Sequence, residues 1–140
     1  MSGMINTRGS KSGILGIQTV SADFSGTNYT AASYADNIIW KIDEVVHFSI
    51  VCSRSGTPAN NEIVCFFPIG YAPVKHTSYP GISSTGYQGD DIDVLYFIAE
   101  DGTGDSSNPR AMKIGSPNNP GSSTFHLRLN GHFHRWLVGS

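Results

Sequence analysis

The sequence predicts an all-β protein, an antiparallel β-sandwich or jelly roll of about eight strands. Three observations carry that expectation. Short β-type runs recur along the chain with turn residues between them. No window keeps the i, i+3, i+4, i+7 apolar spacing of a helix over three turns, and 16 Gly and 7 Pro interrupt every candidate. Several runs also separate into one apolar and one polar face when paired, and an all-β chain must close or cover its edges.

In order, the runs are 14-ILGIQTV-20, 37-NIIWKI-42, 45-VVHFSIVC-52, 62-EIVCFF-67, 92-IDVLYFIA-99, 110-RAMKI-114, 124-TFHLRL-129 and 132-HFHRW-136. Residues 1–13 form a Gly/Ser-rich lead, flexible or docking on a subunit, and 14–140 form a single domain. A tight Asp43-Glu44 turn pairs Ile42 with Val45 and Trp40 with His47. The opposite face then holds Ile39, Val46, Phe48 and Ile50 as core, with Trp40 and His47 together on the less buried side.

A second hairpin is expected around Asn130-Gly131. A three-residue loop, Leu129-Asn130-Gly131, places Phe125, Leu127 and Phe133 inside and sets Arg128 and three histidines outside. A two-residue turn would instead put His132 and His134 on the face of Leu127 and Leu129, a poorer separation. The segments 68–91 and 100–110 read as long connections and 115–123 as a turn-rich link. Cys52 and Cys65 sit in apolar runs and read as two reduced core thiols.

Charged residues are only 14% of the chain, net charge is −2, and no basic run is present. Nucleic acid and anionic membrane surfaces are therefore poor partners. The longest wholly apolar run, 94-VLYFIA-99, is too short to span a bilayer, and the first 16 residues lack the apolar core of a secretory signal. The expected product is made in the cytosol without an anchor of its own.

The order 38-IIWKIDEVVHFSIVC-52, 66-FFPIGYAPVKHTSYPG-81, 94-VLYFIAEDGT-103 resembles C-terminal domains of bacteriophage tail fibres and receptor-binding proteins. Pro68, Gly70, Tyr71, Pro73, Asp101 and Gly102 carry the likeness, over roughly residues 34 to 136. Pro68 can end a strand, Gly70 permits a sharp turn and Tyr71 can plug the end of the sandwich. The resemblance implies a homotrimeric head on a virion, made in the host cytoplasm and acting outside the cell. Its partners would be host cell-surface saccharide and other virion proteins. The alternative is a virion structural or capsid decoration protein without ligand-binding activity.

Saccharide sites pair an aromatic platform with a few polar groups. Two places offer that mixture: Trp40 with His47, and the 68–91 segment with His76, Tyr79, Tyr87, Asp90 and Asp91. His126, His132 and His134 are the candidate metal ligands, as cross-strand neighbours in the second hairpin. In some tail-fibre trimers, a His-x-His pair from each subunit surrounds a metal on the threefold axis. Water or a sister subunit is the preferred partner of that face, since Arg128 and Arg135 would repel a cation. The loop 101-DGTGDSSN-108 lacks the spacing and closing Glu of an EF-hand. No catalytic or cofactor fingerprint is present, and nothing fixes the separation of Asp90, Asp91, Asp93 and Glu100 as a hydrolytic pair. The chain is read as a binding protein, not an enzyme.

Overall fold

A computed structural model of the chain describes residues 17–35, 37–56, 58–74, 82–86, 92–100, 107–117 and 124–136. Among them there is no helix, and every strand pairing is antiparallel. The strands are β1 (Thr19–Ser21), β2 (Tyr29–Ala31), β3 (Ile38–Ile42), β4 (Val45–Ser55), β5 (Glu62–Phe66), β6 (Ile82–Gly86), β7 (Ile92–Phe97), β8 (Ala111–Pro117) and β9 (Thr124–His134). One sheet has the order β1-β3-β4-β9-β6, with β2 also on β4; the other has the order β5-β8-β7.

β4 is the spine of the larger sheet. Its alternating sequence buries Val46, Phe48, Ile50 and Cys52 on one side. The β3–β4 hairpin forms in the expected register, with Ile42 opposite Val45 and Trp40 opposite His47. Asp43 supplies the left-handed residue of the turn at φ 54°. β3 occupies the first half of one edge of β4 and β2 the second half. Asn37 bridges the gap, its Oδ1 accepting from Val51 N–H at 2.8 Å, while Ala32 N–H donates to Val51 O at 2.9 Å.

The second hairpin does not form. Asn130 and Gly131 lie inside β9, opposite Ser49 and Phe48 of β4 and opposite Ser83 and Ile82 of β6. Asn-Gly favours a turn locally, but folding back there would leave half of an 11-residue β4 edge unpaired. A straight β9 covers that whole edge, takes β6 on its other side, and buries Leu127, Leu129 and Phe133. The inside set therefore includes Leu129, which the hairpin register had assigned to the loop.

β2 and β6 were not legible as strands, being three residues long in one case and the polar run Ile-Ser-Ser-Thr-Gly in the other. The 68–91 segment is thus not one connection but contains β6, and β8 runs on to Pro117 through the start of the expected 115–123 link. A register shift between Ile63 and Cys65 marks a bulge in β5, where consecutive residues Val64 and Cys65 are both buried.

Side chains of both sheets meet in one apolar cluster. Its centre is aromatic: the Phe67 and Phe97 centroids are 4.8 Å apart, Phe97 and Phe133 5.0 Å, and Phe48 and Phe67 5.6 Å. Both cysteines are free and buried there, on β4 and β5.

Candidate functional site

With Val46, Phe48, Ile50 and Cys52 inward, the alternate positions of β4 and their partners form the outer face of the larger sheet. One rung of that face runs Thr19, Trp40, His47, His132 across four strands. Trp40 and His47 are stacked, with centroids 5.3 Å apart and ring planes 9° from parallel. His47 and His132 follow at 5.6 Å with a 31° tilt. Trp40 and His47 are half-buried and His132 is exposed. The next rung, Ser21, Ile38, Ser49, Asn130, adds hydroxyl and amide groups.

Two backbone constraints place these rings. The two-residue turn at Asp43-Glu44 fixes Trp40 against His47, and the continuous β4–β9 ladder fixes His47 against His132. The outer positions of β3, β4 and β9 carry no carboxylate, and Arg128 is the nearest guanidinium on β9, four residues from His132. The face can present an indole, two imidazoles and neighbouring hydroxyls to one ligand.

His126, His132 and His134 are not brought together. His126 stands opposite Ser53 and His132 opposite His47, six residues along one straight strand, a separation of about 20 Å. The expected trio depended on the hairpin that the β9 ladder replaces. His134 stands opposite Val45, and its Nδ1 accepts from Trp136 N–H at 3.2 Å. Among the described residues, no group of three His, Cys, Asp or Glu side chains is placed to hold a metal ion. His76, Tyr79, Tyr87, Asp90 and Asp91 lie outside the described residues, as does 101–106 of the oxygen-rich loop.

Glu100 ties two distant segments together. Its carboxylate accepts from Gly70 N–H and from the Arg135 guanidinium. Arg135 also donates to Ala72 O at 3.0 Å and to Glu44 Oε2 at 3.2 Å, and Trp136 Nε1 reaches that same Glu44 oxygen. This clasp holds the 68–74 segment against the β3–β4 turn. Gly70, at φ 88°, makes the sharp bend, and Tyr71 packs on the core with the Lys41 ammonium 5.1 Å from its ring centroid. Lys41 Nζ also donates to Gly70 O at 3.0 Å. An open depression of about 360 Å³ lies beside it, lined by Ile17, Gln18, Lys41, Ile42 and Tyr71. The sequence marked Gly70 and Tyr71 but not Arg135, whose partners are 35, 63 and 91 residues away.

At the other end of β4, Arg54 grips Glu62 through two hydrogen bonds of 2.8 Å, with Asn28 Nδ2 donating to Glu62 Oε1 at 3.0 Å. Burial alone would raise the Glu62 carboxyl, but the hydrogen bonds from Arg54 and Asn28 outweigh it and hold it below its ordinary value. Tyr29 is buried beside this pair, and burial with the adjacent carboxylate pushes its phenol well above the usual range.

No protein family, curated protein or solved structure matches the chain.

Proposed function

We propose that this chain is the head of a bacteriophage virion appendage, working as a homotrimer that recognises saccharide on the host surface. The observation that carries the reading is the Trp40–His47–His132 row on the outer face of the larger sheet. An indole backed by a parallel imidazole is a stiff platform for the C–H face of a sugar. Ser49 and Asn130 on the neighbouring rung supply partners for sugar hydroxyls. Outer strand positions without carboxylates among the described residues, on a chain of 14% charged residues, suit a neutral polyhydroxylated ligand. The tail-fibre resemblance of the 38–103 segment order supplies the virion and trimer parts of the proposal.

The test is an array of bacterial surface glycans probed with chain whose oligomeric state has been fixed by light scattering. Retained binding that Trp40→Ala abolishes supports the reading, and absence of binding to every glycan overturns it.

A second reading has its own observation. Ile42, Trp136 and Ile69 are exposed by 47%, 52% and 75%. Such side chains suit a virion structural subunit whose surface is covered by neighbours. A stable oligomer that binds no glycan and loses association on Ile69→Ser would favour it.

A further inference from the structure

The β4–β9 register separates His132 from His126 and gives it a different partner, His47, directly across the ladder. The geometry points to an intrachain two-histidine site for a divalent transition-metal ion, formed by His47 and His132. This inference holds whether or not the same face meets a saccharide.

Side chains directly opposite each other on antiparallel strands project together, with Cβ atoms about 5 Å apart. Here the ring centroids are 5.6 Å apart. An ion bound about 2.0–2.1 Å from one nitrogen of each imidazole, at a tetrahedral angle, requires centroids roughly 5 Å apart. The observed spacing is therefore close to the one a shared ion requires, and His132 is exposed and free of the core. His47 is steadied by Trp40, which stacks against one face of its ring. The backbone beneath is a ladder of 11 residue pairs, so the two Cα positions are held before any ion arrives.

The chemistry of the pair selects the ion. Two imidazoles, on strand positions that carry no carboxylate among the described residues, suit Cu²⁺, Ni²⁺ or Zn²⁺ and not Ca²⁺ or Mg²⁺. Arg128 lies four residues from His132 along β9, about 13 Å away along the backbone, and the Arg135 charge is met by the Glu44 and Glu100 carboxylates, so neither repels the ion strongly. Two protein ligands leave the remaining positions to water, so the site is open to a further ligand.

The experiment titrates tag-free, metal-stripped chain with CuCl₂, NiCl₂ and ZnCl₂ in a calorimeter. One ion per chain is expected for at least one of the three metals. Affinity should fall roughly tenfold or more in His47→Gln and in His132→Gln, because the second ligand acts at high effective concentration. His126→Gln and His134→Gln should bind like the parent. The proposal is overturned if neither single variant weakens binding, if no metal binds, or if His134→Gln is as damaging as His132→Gln. One ion per three chains also overturns it, since that would place the ion between subunits. A second measurement avoids the histidine variants. In a Trp136→Phe background the remaining indole, stacked on His47, should lose most of its emission at one Cu²⁺ per chain. Unchanged emission would overturn the site.

Discussion

Arg54 and Glu62 form a two-point ion pair between strands of different sheets, β4 in the larger and β5 in the smaller. Their side chains are only 14% and 10% exposed, so the pair is held mostly out of water. Removing one member leaves the other poorly solvated. Arg54→Ala should therefore cost about 2–3 kcal/mol of unfolding free energy. A double change, Arg54→Met with Glu62→Leu, should cost less than the single one, and urea denaturation compares them.

The same pair sets an acid dependence. Glu62 has its carboxyl depressed in the folded chain relative to its ordinary 4.5. Its contribution is fully present above that ordinary value and is lost as pH falls through the lower folded value. Glu62→Gln should flatten the stability profile in that acid window and leave its shape near neutrality unchanged. An unaltered acid limb in the variant would remove Glu62 as its source.

Arg135 is a clasp whose fork a lysine cannot reproduce, since three of its contacts go to oxygens in different segments. Arg135→Lys should lower stability by about 1–2 kcal/mol. It should also speed proteolytic cutting in the 68–74 segment. Equal cutting rates in parent and variant would show that Tyr71 and Lys41 hold the segment without it.

The straight course of β9 is open to hydrogen exchange. From Leu127 to Gly131 the strand is paired on both edges, so alternate amides point into β4 and β6 and none points to water. These amides should exchange as one slow block, Asn130 and Gly131 included. Fast exchange confined to those two would restore the hairpin.

Cys52 and Cys65 should resist labelling in the native chain. Both are fully buried, and burial pushes the Cys52 thiol up to about 12 and the Cys65 thiol well above its ordinary value. At pH 8 a disulfide-exchange reagent should react only after denaturant unfolds the chain. Rapid titration of either thiol in buffer would contradict the shared core.

The candidate face was partly legible in the sequence. Trp40 and His47 follow from a two-residue turn and strict alternation, both local properties of 37–50. His132 was marked as outward, yet its neighbour was misassigned, because Asn130-Gly131 carries a strong turn signal and no sequence feature counts the unpaired edge of β4. Its neighbour is a residue 85 positions earlier, beyond the reach of any window.

By itself the sequence determined the all-β class, the β3–β4 hairpin and the inward side of β4, since period-2 alternation is written into adjacent residues. Only the tertiary structure decided which strand lies beside which. It recruited the short run β2 and the polar run β6 onto free edges, joined Arg54 to Glu62, and set Arg135 among Ala72, Glu44 and Glu100. It also ran β9 straight through an Asn-Gly. The reason is that backbone hydrogen bonds must be satisfied over the whole sheet, and that demand outweighs the preference of any two residues.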